Sequence, residues 1–465
     1  MSLMKQLLYI LISIVFFTVA CNKNDVLDTN PNLRLNFSTD SILFDTVFTE
    51  RGTVTRILKI FNYNTNSINI NELKLSGGNT SNFSININGL NANEAQNIRI
   101  KGNDSVYVFI RAFINPNLQE TPFIVEDSLL CTFNGNKVKI PLIAYGQNAI
   151  YLKDTDITEN TTFTKSKPYI VYNQLKISKN ATLNIAAGAR IYFHKDAKLL
   201  VHGTLTANGT LQDSIAFASD RLERIYKDEP GQWSGIHILP SSSNNIINYS
   251  CIKNAIIGVQ VDSLSRNSTP KILISNTIIK NHQVAGILAY QGDITGYNNL
   301  FFNCGQYLLA AINGGRYEFY QNTFAAYNFS TARTTPAVYL ADHSYNSSTA
   351  FNFNAIFKNN IIWGVLREEL EISRRGNNQI FNQNFEANII RSSGLASNTT
   401  INNNNFLNLD PTFINPREGN YKTTTNSAAR SKGINLSNTS YSLELTKDIK
   451  NITRVYPSTL GCYED

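Results

Sequence analysis

From Asn173 to Phe217 very short apolar strands follow one another without pause. Leu175 and Ile177 come first, then Leu183 and Ile185, Ile191 and Phe193, Leu199 and Val201, Leu205, and Ile215 with Phe217. Each alternates apolar with polar residues, the period-two pattern of a strand with one buried face. Gly188, Gly203 and Gly209 fall in the breaks. Strands this short cannot stand alone and must stack on neighbours, so the chain is written as a β-solenoid. A solenoid presents long flat faces, which suit an extended partner such as a polysaccharide. The ladder does not say whether that partner is cut, held or absent.

The rungs continue beyond Phe217. Trp233-Ser-Gly-Ile-His-Ile reads as a strand with an aromatic entry, and later rungs read Ser275-Asn-Thr-Ile-Ile, Asn298-Asn-Leu-Phe-Phe, Gln321-Asn-Thr-Phe and Asn359-Asn-Ile-Ile-Trp. Asn276, Asn298 and Asn322 recur at a coil-length spacing. Asn tolerates the left-handed backbone that a tight corner needs, and stacked Asn side chains can hydrogen-bond along the axis. The stretches 330–349 and 366–378 break the spacing and are expected to loop out.

Residues 33–148 follow a different all-β pattern. Candidate strands are Arg34–Phe37, Val54–Phe61, Ser67–Leu75, Phe83–Ile87, Ser105–Ile114, Asp127–Phe133 and Lys137–Ala144, with Asn134-Gly135 as a hairpin turn. About seven strands in this length suggest an immunoglobulin-like sandwich, without the Cys…Trp…Cys core of antibody domains. Residues 149–172 are Thr-rich and are expected to be a linker and N-terminal cap, with the solenoid running over 173–465.

The N-terminus reads as an address. Lys5 precedes an almost unbroken apolar run from Leu7 to Val19, which ends at Ala20 before Cys21. It is short for a spanning helix and is expected to be a signal peptide over 1–20. A polar tether over 21–32 follows. Formal net charge is +7 with no basic patch beyond Arg374-Arg375, which argues against a nucleic-acid partner. Cys131, Cys251, Cys304 and Cys462 match no zinc ribbon and no CxxC pair, and are expected as buried free thiols.

Three resemblances are carried by these residues. Phe17-Thr-Val-Ala-Cys21 resembles a bacterial lipobox, with Thr18 where Leu is usual. It implies lipidation of Cys21, and with Lys23 and Asp25 a Bacteroidetes-type outer-membrane lipoprotein facing the surface or the periplasm, its membrane contact made through the lipid anchor. Phe44-Asp-Thr-Val-Phe-Thr, Leu58-Lys-Ile-Phe-Asn-Tyr, Ser105-Val-Tyr-Val-Phe-Ile and Pro141-Leu-Ile-Ala-Tyr-Gly-Gln resemble the Ig-like domains grouped with ASPM, SPD-2 and hydin. Those are read as packing residues and imply a spacer or adhesive module. From Asn173 on, Ala181-Thr-Leu-Asn-Ile-Ala-Ala-Gly-Ala-Arg-Ile-Tyr-Phe, Leu199-Leu-Val-His-Gly-Thr-Leu and Trp233-Ser-Gly-Ile resemble the right-handed parallel β-helix, or pectin-lyase-like, superfamily. Leu409-Asp-Pro-Thr-Phe-Ile-Asn-Pro, Gly419-Asn-Tyr and Gly461-Cys-Tyr-Glu resemble its C-terminal closing segment.

That superfamily includes polysaccharide lyases and hydrolases, but their clusters are not found. Glycoside hydrolysis needs two carboxyls at a defined separation, and the rungs hold no Asn-Thr-Asp, no Asp-Asp and no Gly-His-Gly. A lyase would need converging acidic oxygens for Ca²⁺; without that activity the chain needs no cofactor. The remaining groove candidates are Asp262, His282, Asp293, Arg316, Glu318, Asp342 and His343. His194, His202 and His237 are expected to be structural, and no metal site is expected. Arg367-Glu-Glu and Glu371-Ile-Ser-Arg-Arg read as an exposed charged excursion. Tyr290, Tyr297, Tyr307, Tyr317 and Tyr320 could form a sugar-stacking platform or pack in the core.

The leading expectation is a non-catalytic lipid-anchored envelope protein whose β-helix binds glycan or envelope material. The alternatives are a β-helix lyase or hydrolase and a structural or adhesive surface protein. Three or more ionisable side chains converging in one groove would favour the enzyme, exposed aromatics without carboxylates the binder, and a smooth Asn/Ser/Thr face the structural protein.

Overall fold

The computed structural model describes residues 25–464, apart from residues 88, 92, 330–331, 346–347, 399–400 and 402–403. Cys21 and the apolar leader lie outside the described residues. The chain divides into two compact units between Asn148 and Ala149.

The first unit is a sandwich of two five-stranded sheets. One sheet runs Asn36–Phe37, Arg56–Asn62, Asp104–Ala112, Phe83–Ile87, Leu90–Asn91, all antiparallel. The other runs Ile42–Phe48, Asn136–Gln147, Phe123–Phe133, Ile68–Leu75, Glu94–Ile100, with only the first pair parallel. Alternate residues of each strand (Leu58 and Ile60, Val108 and Ile110, Leu129 and Cys131) face a common core. Asn134 and Gly135 both have positive φ, 44° and 75°, as a two-residue hairpin turn requires. Ile42–Phe48 and Glu94–Ile100 are additional to the expected strands. The second is an edge strand whose residues are mostly exposed, so its apolar alternation is faint.

The expected tether is not free from Asp25 onward. Asp28 N and Val26 O bond to Ser67, and Arg99 pairs with Asp25 at 3.1 Å. Asn134 and Asn136 donate to the carbonyls of Asp28 and Pro31.

The second unit is a parallel β-helix. Successive coils place one strand in each of three parallel stacks. Two stacks merge in an 18-stranded sheet, and the third forms a nine-stranded sheet. Arg190–Phe193, Lys198–Val201 and Thr204–Asn208 make one such coil; Ile215–Ser219, Gly235–Ile238 and Asn245–Asn248 stack on it. Aligned side chains fill the interior in columns, such as Phe217, Ile252, Ile279, Phe301, Phe324 and Ile362. Phe301 and Phe324 stack at 4.6 Å.

Two expectations about boundaries are corrected. Residues 149–172 are not a linker: Ile150–Ile157 pairs in parallel with Tyr169–Ile177, so this segment is the first coil. The two polar interruptions do not wholly loop out, because Val338–Ala341 and Leu370–Ser373 inside them are paired rungs.

The asparagines make two ladders, one residue apart. Asn276, Asn298, Gln321 and Asn359 hold positive φ, between 48° and 58°, and turn the chain. The residues after the last three, Asn299, Asn322 and Asn360, and Asn388 after the positive-φ Ala387, are fully buried. Asn299 N and Nδ2 both donate to Asn322 Oδ1, at 3.0 and 2.9 Å. Asn322 does the same to Asn360, and Asn360 to Asn388. The amides therefore satisfy the corner's backbone, which could not otherwise be buried. The recurring Asn322 belongs to the inner ladder, and Asn276 and Asn298 to the corner.

Beyond Phe406–Leu407 the closing segment does not cap an end. It lies along the outside of one stack, where Tyr421, Ile449, Leu460 and Cys462 pack on Leu300, Ala325, Ile361 and Trp363. The corner asparagines fasten it. Asn359 exchanges two hydrogen bonds with Ile434, and Asn298 bonds Lys447 O and Arg454. Gly461 has φ of 86° and sits so close to the stack that a Cβ would meet Thr323 Oγ1 at 2.5 Å.

Candidate functional site

A groove of about 890 Å³ opens beside the closing segment. Its floor is the outward face of one stack, with Cys251, Ile278, Leu300, Lys280 and Phe302. One wall is the loop 224–230, which leaves the helix between two rungs. That loop is pinned from below: Asn254 Nδ2 donates to Lys227 O and Glu229 O, and Gln232 Nε2 donates to Tyr226 O and Glu229 O. The other wall is the turn Pro416–Glu418, ended by Gly419 at φ 72°.

The groove carries rings and charges together. Tyr327 and Phe329 stack nearly parallel with centroids 6.2 Å apart, and Phe329 is half exposed. The Arg417 guanidinium lies 5.1 Å over Phe329, and Lys280 Nζ 5.4 Å from Phe302. Phe302 packs on Tyr421 at 5.0 Å. Asp228 is held in place, since Asn281 Nδ2 donates to Oδ1 at 2.8 Å and Lys280 Nζ lies 3.7 Å away. Burial pushes the Tyr327 phenol up to about 12 and pushes the Lys253 ammonium below its ordinary value. Burial also raises the Cys251 thiol. Such a floor offers apolar faces for stacking and a rim of donors and acceptors.

None of the sequence-derived groove candidates lies here. His282 is not in a groove at all: it is buried, takes a hydrogen bond from Ala255 N and donates to Ile252 O. Burial lowers it to about 4, so it is neutral. Asp293 and Arg316, register partners, form a bidentate pair at 2.9 and 2.7 Å that lines a shallow hollow of about 310 Å³. Asp262 accepts a hydrogen bond from His237 at 2.5 Å and from Gln260 at 3.1 Å. Burial opposes ionisation there, but these bonds win and hold Asp262 below the usual carboxylate range. Between Asp262 and Asp293 sits Lys271, fully buried, its ammonium bonded to Ser263 Oγ and Pro240 O and lowered by burial to about 8.

Asp342 organises a loop. It accepts from Arg375 N, Gly376 N and His343 Nδ1, and these bonds outweigh burial and lower its pKa. Glu318 accepts from Tyr320. His194 is paired with Asp220 at 2.7 Å, and His202 is near Ser241. The structure thus joins Asp262 to His237, Asp293 to Arg316 and Asp342 to His343, and leaves these pairs, His282 and Glu318 apart from one another. Among the described residues no group of three His, Cys, Asp or Glu could hold a metal ion.

The proposed tyrosine platform does not form. Tyr290 is exposed, but Tyr317 is fully buried, Tyr297 and Tyr320 are covered by Leu436 and Leu445, and Tyr307 leans on Tyr339. The charged excursion is exposed at Arg367, Glu368, Glu371, Arg374 and Arg375, and is corrected at Glu369, which is completely buried and paired with Arg333; Glu368 accepts from Ser392, Ser393 and Gly394. Cys131, Cys304 and Cys462 are buried free thiols, raised to about 12 by burial, whereas Cys251 is partly exposed.

A family model described as "Right handed beta helix region" matches residues 121–324. The match agrees with the parallel stacks and gives their hand, so the fold is a β-sandwich followed by a right-handed parallel β-helix. It begins just before the sandwich strand Phe123–Phe133 and takes in Asn136–Gln147, while the coils continue to Phe406–Leu407. The comparison with curated proteins gives no match. Among solved structures, the chain is similar to the "ASH / PapD-like domain of human CEP192", at 10% identity over 28% of this chain and 96% of that one. It is also similar to a family 123 glycoside hydrolase from Clostridium perfringens, at 11% identity over 26% of this chain and 30% of that one. The TM-score is 0.19 in each case, and neither likeness bears on fold or function.

Proposed function

We propose that the chain is a lipid-anchored envelope protein whose β-helix holds a glycan in the groove beside the closing segment without cutting it. The observation that carries this reading is the Tyr327–Phe329 stack, with Phe329 half exposed and topped by Arg417, in a groove one wall of which is the pinned loop 224–230. A sugar ring lays its C–H face on an aromatic ring and gives its hydroxyls to flanking polar groups. That wall is fixed before the ligand arrives, which lowers the entropic cost of holding an extended chain.

Hydrolytic and lyase chemistry is the second reading, and the sign set out for it is met: Asp228, Glu229 and Glu418 line the groove with Lys280 and Arg417, so its aromatic residues are not free of carboxylates. Against it, Asp228 is already engaged by Asn281 and Lys280. That arrangement orients the Asp228 carboxylate toward the floor of the groove. The anchor is Cys21, and the sandwich is read as an Ig-like spacer between the membrane and the β-helix.

A panel of neutral and acidic polysaccharides tests both readings at once, with bound glycan and released product measured in the same samples. Retention without product supports the binder. Product from any of them overturns the non-catalytic reading. Replacing Cys21 by Ser tests the anchor, which predicts loss of the protein from the membrane fraction.

A further inference from the structure

The sandwich carries its own exposed aromatic strip, far too ordered to be scattered surface residues. On the sheet holding Arg56–Asn62 and Asp104–Ala112, one face of each strand packs in the core and the other is open. The open face shows Ile57, Lys59 and Phe61 on one strand and Tyr107, Phe109 and Arg111 on the next, with Ile57 opposite Phe109 and Lys59 opposite Tyr107. Tyr63 extends the row, stacked on Phe61 at 5.3 Å and 12°; Tyr107 stacks on Phe109 at 16°. Tyr63 is 65% exposed, Ile57 53%, Tyr107 46% and Phe109 37%. At the strand rise the row is roughly 20 Å long.

The charges on this strip say what it takes. Lys59 Nζ sits between the rings, 4.9 Å from both Phe61 and Tyr107. Arg111 donates to Thr55 and lines a cleft beside Phe109 with Asn86, Asn91 and Asn93. Among the described residues neither Lys59 nor Arg111 is ion-paired. An apolar partner would have to strip water from both cations with nothing in return. A ligand with flat C–H faces and anionic substituents satisfies the rings and the cations together.

We propose that this face is a second, independent binding site for an acidic polysaccharide, its sugar rings lying along the strip and its carboxylate or sulfate groups meeting Lys59 and Arg111. The site does not depend on the β-helix groove. It accounts for residues that a mere spacer would have no reason to expose.

The test is electrophoresis of the full chain through gels containing alginate, dextran sulfate or neutral dextran. Alginate and dextran sulfate separate carboxylate from sulfate recognition. The chain is cationic, so the decisive variant leaves its charge unchanged: Tyr107→Ala with Phe109→Ala. Retardation by one acidic polysaccharide, weakened about tenfold or more by this variant and also by Lys59→Gln, is expected. A Tyr327→Ala/Phe329→Ala variant of the β-helix groove, run alongside, should keep this retardation, which separates the two sites. Thermal melting checks that each variant is folded. The proposal is overturned if folded Tyr107→Ala/Phe109→Ala is retarded like the parent, if dextran retards as strongly as the acidic gels, or if no gel retards the chain. Self-association abolished by the same variant, without polysaccharide binding, would assign the strip to a second copy and also overturn it.

Discussion

Arg333 and Glu369 form a salt bridge in the body of the β-helix, the guanidinium 2.6 Å from both carboxylate oxygens and neither side chain exposed. The carboxylate also accepts from Ala337 N at 3.0 Å and Leu366 N at 2.9 Å. It therefore ties the two polar insertions to each other. Removing one partner strands the other charge. Glu369→Ala is expected to cost about 3–5 kcal/mol in a denaturant melt. Glu371→Ala, on a mostly exposed neighbour in the same rung, should change little. Equal effects of the two would show that the pair is not the anchor.

His282 makes stability depend on mild acid. Its folded pKa is lowered to about 4, whereas an unfolded His titrates near 6.5. Between these values the unfolded chain binds a proton that the folded one refuses, so stability falls as pH drops from 6.5 to 4. The loss approaches about 3 kcal/mol at full effect. His282→Gln, which can still accept from Ala255 N, should flatten that part of the curve of urea midpoint against pH.

The inner asparagine ladder is a chain of mutual satisfaction. Asn322 accepts from Asn299 and donates to Asn360, Gly296 and Tyr320. Asn322→Leu leaves several buried groups unpaired and should cost roughly 2–3 kcal/mol or more. At the corner, Gln321 stands where Asn276, Asn298 and Asn359 stand, and it is buried with its amide donating to Ser458. Gln321→Asn keeps the turn but draws back from Ser458, and should cost less than Asn322→Leu in the same melt.

Thiol labelling reports the groove. Cys251 is the partly exposed member of the set Cys131, Cys251, Cys304 and Cys462, and it lies on the groove floor. In the native protein it should react first with a maleimide, the other three only after denaturation. A bound glycan should slow that reaction. Labelling of Cys462 at the same rate would mean that the closing segment is not seated as described.

Fold and site were not equally legible. Period-two alternation from Leu175 to Phe217 fixes strands, and their shortness forces stacking, so the β-helix follows from local chemistry. Thr155 to Thr164 masked the first coil, because polar Thr-rich strands carry little apolar contrast. Glu369 read as solvated because its partner Arg333 lies in a distant polar stretch, and nothing local marks a charge that burial will pair. The groove was beyond reach for a similar reason. Lys280 and Phe302 sit on neighbouring rungs, but Arg417 and Tyr421 arrive from the closing segment, which could not be placed along the side. On the sandwich, Phe61, Tyr107 and Phe109 read as packing residues because strand propensity favours aromatics on either face. Their outward side is set by Leu58, Val106 and Val108, which take the core.

That the groove holds a glycan without cutting it is decided by titration of a full chain whose sandwich strip has been removed by Tyr107→Ala/Phe109→Ala, with the polysaccharide that this chain still binds best. The same measurement is made after adding Tyr327→Ala/Phe329→Ala, with chain length followed by size-exclusion chromatography. Saturable binding is expected, weakened at least about tenfold by the added groove substitutions, with the polysaccharide eluting at unchanged length. Binding that the groove substitutions leave intact, or polysaccharide that shortens during the incubation, would contradict this reading.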